Sequence, residues 1–420
     1  MDDTDLIQGN MGNTNITANE IMNEMQQAIS RWEGGLKATG GALVPEKSFV
    51  YPIDFKFNNT GKVSYKSVEE IDAHFEVPDA DGQMITLRQF EPSKASETLG
   101  VFLAPDGNNE AAIEALLEKS NIWSELVHKG HLNANDVMRA MDSTITQSLK
   151  YPLPALTLTE DECKRIMAPV LKVALPRSHV CRTFPRAVVY GPKSLMGLGK
   201  TDLYVKQGTT QIGLLQQYLQ TDTITGELLR SNIEAIKMHI GIRHNLFTMD
   251  YDRLHRLVPP SMMKHVWQFC RKNNLRIEER TTSDIILRRN NDKFIMEVIS
   301  TSNNTYTNND LAHINRCRIY LQVLTLSDIT NGNGTLIRRG VLKGTMKVLN
   351  QPYYIWPIQS RPGITSWRIW RRAIKECFMR NIELHLQPGM HLGQWNDGNQ
   401  DGWNWFFVRR TQQLFQCTPT

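Results

Sequence analysis

The chain has 420 residues, which is enough for two or three domains, and its hydrophobic fraction of 40% and charged fraction of 22% are typical of a globular protein. The sequence lacks an apolar run of the ~18 residues that a membrane span needs. Its N-terminus is acidic and polar, so we do not expect it to be a signal peptide. No two cysteines have Cys-x-x-Cys spacing. The net charge of +5 is unevenly distributed, because the first 120 residues lean acidic whereas 254–289 and 361–380 are basic. We therefore expect an intracellular protein, in the cytoplasm or nucleus, with no membrane partner.

Residues 1–107 have the patterns of a small mixed α/β region. Apolar residues recur at helical spacing over 16–37, and Thr17 is a suitable N-cap for that helix. Residues 48–57 alternate with period two, which predicts one half-buried strand. The sequence Pro-Asp-Ala-Asp-Gly at 78–82 predicts the loop of a hairpin.

Residues 108–245 are predicted to form a mostly helical bundle. Several segments repeat apolar residues every three or four positions, which is the spacing of amphipathic helices. The segment 133–150 has the most regular stripe, which consists of Val137, Met141, Ile145 and Leu149. The segment 159–175 opens with a capping box at Thr159. We expect these helices to be scaffold.

Residues 246–420 form a less regular third region, whose role the sequence does not indicate. The segment 284–299 predicts two strands, 311–324 predicts a helix, and 361–380 encloses a short helix. The chain as a whole is therefore expected to belong to the α+β class, with these three regions as its divisions.

The segment Trp367–Phe378 is the strongest candidate for binding nucleic acid. Placed on a helix, its large apolar residues fall on one face. Its cations fall on another face, and they are Arg368, Arg371, Arg372 and Lys375. Basic side chains neutralise phosphates, and aromatic ones stack on bases. The same pattern also fits a docked helix with core tryptophans and solvated arginines, and both interpretations stay open.

The sequence Gly-Leu-Gly-Lys-Thr at 197–201 is similar to the end of a phosphate-binding P-loop. A P-loop needs a further glycine where Ser194 stands, and it needs a preceding strand, which Val188–Tyr190 could form. The missing glycine argues against nucleotide binding at this loop. No serine has the Gly-x-Ser-x-Gly setting of an acyl-transfer hydrolase.

Four separated segments form an ordered set of motifs. Met1–Ile7 places two adjacent aspartates before an apolar pair, and Thr98–Leu103 has Leu-Gly followed by an apolar strand. Ser148–Pro154 contains Tyr-x-Leu, and Arg186–Gly199 ends in a glycine-rich stretch in which Met196 stands where a glycine is expected. In this order and spacing they resemble the palm and thumb of LINE-type (non-LTR) retrotransposon reverse transcriptases, over roughly the first half of the chain.

This resemblance implies an RNA-directed DNA polymerase that uses Mg²⁺ and acts on an RNA or DNA template-primer. Asp2 and Asp3 would be metal ligands, and Lys47 would neutralise or protonate the pyrophosphate leaving group. The family uses a third carboxylate and a fingers region that this chain does not contain. We therefore expect a truncated reverse transcriptase, inactive alone and holding no Mg²⁺ stably. The alternatives are a non-catalytic nucleic-acid-binding protein derived from the element and a helical interaction scaffold.

Overall fold

The computed structural model describes most of the chain. The described residues are 5–9, 18–57, 63–71, 73–78, 82–278, 287, 289, 291–302, 306–331, 334–345, 360–380, 383–384, 394–396, 404–408 and 413–417. The fold is α+β, mostly helical with a few small sheets, as expected from the sequence. The chain folds into two compact units: unit 1 comprises residues 1–56 and 63–210, and unit 2 comprises residues 57–62 and 211–420. The three regions expected from the sequence stay a prediction.

Unit 1 opens with a helix and short strands. They are α1 (Ala18–Ala38), β1 (Phe49–Val50), β2 (Phe55–Phe57), β3 (Val63–Tyr65), β4 (Glu76–Pro78), β5 (Met84–Thr86), β6 (Arg88–Gln89), β7 (Ser96–Thr98) and β8 (Val101–Leu103). β1 pairs with β6 in parallel, whereas β4–β5 and β7–β8 are antiparallel hairpins. The hairpin expected around 78–82 is confirmed by the β4–β5 pairing. Thr17, the expected N-cap, lies outside the described residues.

The single strand expected over 48–57 is wrong. Two short strands replace it, and Pro52, which has no backbone N–H to donate, lies between them. Burial also does not follow the alternation of apolar residues, because Val50 is 8% exposed whereas Ile53 and Phe55 are 49% and 47% exposed. Alternation fixes which residues share a face, but it does not decide which face is covered.

The rest of unit 1 is helical. Its helices are α2 (Glu110–Lys129), α3 (Ala134–Ala140), α4 (Thr146–Lys150), α5 (Glu160–Arg177), α6 (Arg186–Tyr190) and the first part of α7 (Leu203–Tyr218). A π-helical turn, Met141–Ile145, joins α3 to α4. The expected stripe is buried, with Val137, Met141, Ile145 and Leu149 at most 3% exposed. The capping box at Thr159 is also confirmed, because its hydroxyl accepts a hydrogen bond from the Glu162 amide.

Unit 2 continues the helical pattern and ends in strands. After α7 come α8 (Ile224–Ile240), α9 (Tyr251–Leu254), α10 (Met262–Lys272), α11 (Ile295–Thr301), α12 (Asn308–Leu321), α13 (Leu326–Ile329), α14 (Arg339–Lys343) and α15 (Ile364–Phe378). The strands are β9 (Met379–Arg380), β10 (Glu383–Leu384), β11 (Gln394–Asn396), β12 (Asn404–Val408) and β13 (Gln413–Cys417). β9 and β10 pair antiparallel, as do β11, β12 and β13 in that order.

The strand expected to end at Ile299 is wrong, because this segment forms α11. Ile and Val favour strands by local preference. Here Ile295, Met296 and Ile299 are fully buried at three- and four-residue spacing in the core that α12 and α15 share. Burial of a helical stripe therefore outweighs the local preference.

A buried arginine ties α12 to the end of α8. Arg318 is 0% exposed, and its Nη2 donates hydrogen bonds to the carbonyls of Met238 (3.1 Å) and His239 (2.6 Å). The carbonyls at a helix C-terminus lack partners within the helix and attract a cation. Gly241 follows with φ +85°, and a Cβ there would lie 2.7 Å from Nε of Arg318.

Candidate nucleic-acid interface

The inner face of α15 is part of the core of unit 2. Trp367, Trp370, Ile374 and Phe378 are 5%, 0%, 0% and 0% exposed. The helix packs against α12 and α14, and Nε1 of Trp370 donates a 3.3 Å hydrogen bond to the Val341 carbonyl of α14. The expected apolar face is therefore confirmed.

The contact between α14 and α15 depends on a glycine. Gly344 ends α14 with φ +64°, in the left-handed region that glycine adopts without strain. A Cβ at this position would lie only 2.4 Å from Cζ2 of Trp367. Local sequence patterns do not predict this role of Gly344, because the Trp367 ring that requires it is distant along the chain.

The outer face of α15 carries the four cations expected from the sequence. Arg368, Arg371, Arg372 and Lys375 are all exposed, and we call them the cationic stripe. Each lies three or four residues from a neighbour in the stripe, so like charges are adjacent on the helix surface. Such pairs destabilise a helix by ~0.2–0.5 kcal/mol each unless opposite charges offset them. The stripe therefore has a cost in stability.

Little negative charge offsets this stripe. Nη2 of Arg372 lies 3.9 Å from Oδ2 of Asp310, at the outer limit of an ion pair. The one acidic residue of α15, Glu376, accepts a hydrogen bond from the Tyr306 hydroxyl. Within the part of the chain that the structure describes, Arg368 and Lys375 form no ion pair. The surface thus remains strongly positive.

The interface is also limited in the contacts that it can make. Base stacking needs an exposed aromatic ring, and the large rings of α15 are in the core. The groups that the stripe presents to solvent are guanidinium and ammonium groups. Such groups bind phosphates, which are identical at every position of a nucleic acid. The stripe can therefore supply affinity but no base readout.

Another exposed cation, Arg361, precedes α15. Its Nη2 donates a 2.9 Å hydrogen bond to the carbonyl of Lys343. The lysine closes α14, so this bond holds the arginine beside the corner where α14 and α15 meet. Arg361 belongs to the basic segment that the sequence singled out, but its anchoring contact was not predicted.

The other site residues expected from the sequence are Asp2, Asp3 and Lys47. Asp2 and Asp3 lie outside the described residues. Lys47 belongs to unit 1, where it is exposed at the end of the one-turn 3₁₀ helix Pro45–Lys47. Its position neither tests nor supports a role at a leaving group, which stays a prediction.

Two of the polymerase-like motifs contact each other. The Leu99–Gly100 turn joins β7 to β8, and both residues have positive φ, +51° and +78°. The Tyr151 hydroxyl donates a 2.9 Å hydrogen bond to the Leu99 carbonyl. The Leu-Gly motif and the Tyr-x-Leu motif therefore form one local structure, which sequence spacing alone did not reveal.

The glycine-rich motif forms a tight loop after α6. A Cβ on Gly197 would lie 2.2 Å from the Gly191 carbonyl oxygen, so the two backbones meet at a distance that only glycine allows. Met196 is 91% exposed and has φ +63°, although it is not a glycine. A non-glycine residue in this region is strained by ~1–2 kcal/mol. The backbone at Met196 thus adopts the left-handed conformation that glycine favours.

The structure provides no strand for a P-loop at this motif. Val188–Tyr190 lie in helix α6, whereas a P-loop connects a strand to a helix. Lys200, which would face the phosphates, is 8% exposed and pairs with Asp142 at 2.8 Å. The lysine therefore anchors the loop to the π-helical turn.

The described ranges contain no group of three His, Cys, Asp or Glu side chains that could hold a metal ion. No helix among them is both long enough and apolar enough to cross a bilayer.

Tyr306 is the residue whose hydroxyl donates to Glu376 of α15. Burial, followed by this hydrogen bond, raises the pKa of Tyr306, so its phenol stays protonated as a donor at neutral pH.

Comparison of the chain with protein-family models, with curated proteins and with solved structures found no match in any of the three. The feature with the clearest chemical consequence is the cationic stripe on α15.

Proposed function

We propose that the chain binds RNA or DNA through the cationic stripe, as a non-catalytic nucleic-acid-binding protein. One observation carries the proposal: four exposed cations share one face of a helix whose other face is buried, and they outnumber the acidic residues beside them, Glu376 on α15 and Asp310 at 3.9 Å from Arg372. A helix anchored in this way presents its charges on a rigid support, which favours simultaneous contacts with several phosphates.

The expected mode of binding is electrostatic. Each phosphate that a cation neutralises releases a counterion from the nucleic acid, and this release drives association. Since the rings of α15 are unavailable for stacking, affinity should depend weakly on base sequence.

A triple substitution tests the proposal. Changing Arg368, Arg371 and Arg372 to alanine should weaken binding to a labelled RNA duplex by at least about tenfold near physiological salt, measured by fluorescence anisotropy. The variant should fold normally, because the substituted side chains are exposed and alanine favours helix. A matched control changes three exposed lysines of unit 1, Lys119, Lys129 and Lys164, to alanine. It removes the same charge and should bind as the parent does.

Equal losses in the two triple variants would indicate a general effect of net charge and would contradict a site on α15. No measurable binding by the parent would leave the helical interaction scaffold as the better interpretation.

A second candidate is the polymerase function implied by the resemblance. The observation that favours it is the left-handed backbone at Met196, since the related motif has a glycine there. Mg²⁺ would supply charge stabilisation for nucleotidyl transfer, and Asp2 and Asp3 would be its ligands in this chain. Because both aspartates lie outside the described residues, no catalytic geometry follows for them.

Primer extension tests whether the chain has polymerase activity by itself. We expect the chain alone to extend no primer on an RNA template with Mg²⁺ or Mn²⁺, because the resembling segments supply two of the family's three metal-binding carboxylates. Template-dependent extension that Asp2→Ala and Asp3→Ala abolish would instead establish an active polymerase. A parallel assay with an established reverse transcriptase verifies the template and the nucleotides.

A further inference from the structure

The four cations of the stripe are not equivalent, because Arg372 contacts two side chains outside α15. Its Cζ lies 5.3 Å from the ring centroid of Tyr306, within the range of a cation–π contact. Its Nη2 lies 3.9 Å from Asp310 Oδ2, and its side chain is still 49% exposed. Arg372 thus contacts the Tyr306 ring and Asp310 while its side chain remains accessible to solvent.

Tyr306 is itself fixed in place. It is 4% exposed, and its hydroxyl donates a hydrogen bond to Glu376, one turn beyond Arg372 on α15. Its carbonyl accepts a 2.9 Å hydrogen bond from Nη2 of Arg253. A ring restrained at both its hydroxyl and its backbone is a rigid platform for a guanidinium.

Asp310 is restrained by the start of α12. Its Oδ2 accepts hydrogen bonds from the amide (3.0 Å) and the hydroxyl (2.9 Å) of Thr307, the N-cap of that helix. The same oxygen faces Arg372 at a longer distance. Asp310 therefore restricts the positions of the Arg372 guanidinium, although the two groups do not form a close ion pair.

The remaining members of the stripe have fewer restraints. Arg371 donates a 3.2 Å hydrogen bond from Nε to the Trp367 carbonyl of its own helix. In the described ranges, Arg368 and Lys375 have no ring or ion-pair contact. Fixing a flexible side chain on binding has an entropic cost that weakens affinity by roughly two- to tenfold per side chain. A cation that is already held avoids most of that cost.

We propose that Tyr306 and Asp310 are positioning residues that preorganise Arg372 as the phosphate anchor of the stripe, an inference that rests on the proposed function. A guanidinium beside a ring face keeps N–H groups free to donate, and these match two oxygens of one phosphodiester. A lysine ammonium lacks both the stacking plane and the paired donors. The other cations add attraction that depends on charge alone.

Charge-conserving substitutions distinguish the anchor from its neighbours. Arg372→Lys should raise the Kd for an RNA duplex of about 20 base pairs by about fivefold, and Arg368→Lys by less than about twofold. Neither should change the salt slope, because the number of cations is the same. Binding with equal losses at the two positions would overturn the anchor but leave the proposed function intact, whereas no binding by the parent would overturn both.

Tyr306→Leu completes the test of positioning. Without the ring, Arg372→Lys should cost less than about twofold, because the held conformation is already lost. A loss that stays about fivefold in the Tyr306→Leu background would show that the ring does not position the arginine.

Should Tyr306→Leu fail to fold, NMR of the arginine side chains in the free parent protein decides the question. The Nε–H signal of Arg372 should be restrained on the nanosecond timescale and that of Arg368 mobile. Equal mobility would overturn the inference.

Discussion

Two amphipathic helices, α5 in unit 1 and α15 in unit 2, have similar inner faces and very different outer faces. Both bury an apolar stripe completely. On α5 the exposed Lys164 lies 2.9 Å from Glu160 and 3.7 Å from Asp161, so its charge is offset within the helix. On α15 the exposed face carries four cations and a single acidic residue, Glu376, so its charge is mostly positive. Amphipathicity is thus common to both helices, and the charge balance of the outer face separates them.

The difference has an energetic meaning. Interleaved charges of opposite sign stabilise a helix slightly, whereas a row of like charges destabilises it. A row of like charges brings no benefit to a helix that serves only as scaffold. It is expected in a binding site, because departures from local stability rules concentrate where function requires them. The contrast therefore argues that α5 is scaffold and that α15 carries a function.

The largest expected effect tests whether the inner faces are equivalent. Trp370→Ala should destabilise unit 2 by ~3–5 kcal/mol, and Leu175→Ala on α5 should destabilise unit 1 by ~2–5 kcal/mol, since both side chains are 0% exposed. Urea denaturation followed by circular dichroism measures both losses. An unchanged unfolding midpoint for Trp370→Ala would show that the α15 ring is not part of the core.

A matched control uses an exposed apolar residue. Leu126 on α2 is 66% exposed, and its replacement by alanine should change stability by less than about 0.5 kcal/mol.

Local patterns predicted the long helices well. The stripe of Val137, Met141, Ile145 and Leu149 and the capping box of α5 are properties of nearby residues, and the structure confirms both. The failures have a different origin. The buried side of the segment around Val50 and the helix at Ile295 were decided by what packs against them, which comes from elsewhere in the chain.

The same limit applies to the candidate site. The cations of α15 and its buried ring face follow from helical spacing within one segment. Tyr306, Asp310 and Gly344 were missed, because each meets α15 only through the tertiary fold. No local signal marks them, since a tyrosine, an aspartate and a glycine at these positions fit ordinary helix and loop patterns.

A smaller effect tests the outer faces directly. Arg368→Gln removes a like charge from beside Arg371 and Arg372, so it should stabilise the fold by about 0.5 kcal/mol. Lys164→Gln on α5 removes an offsetting charge and should destabilise by a similar amount. Both changes should fade in about 1 M salt, where surface charges are screened. Stabilisation by Lys164→Gln, or destabilisation by Arg368→Gln, would remove the distinction between the two helices.

The salt dependence of RNA binding tests the central claim most directly. Three or four phosphate contacts predict a log–log slope of the binding constant against salt of roughly −3 for a duplex. The variant with Arg368, Arg371 and Arg372 changed to alanine should have a slope of about −1 or flatter, since Lys375 alone remains in the stripe. A slope that is the same in the parent and the triple variant would contradict the assignment of nucleic-acid binding to α15.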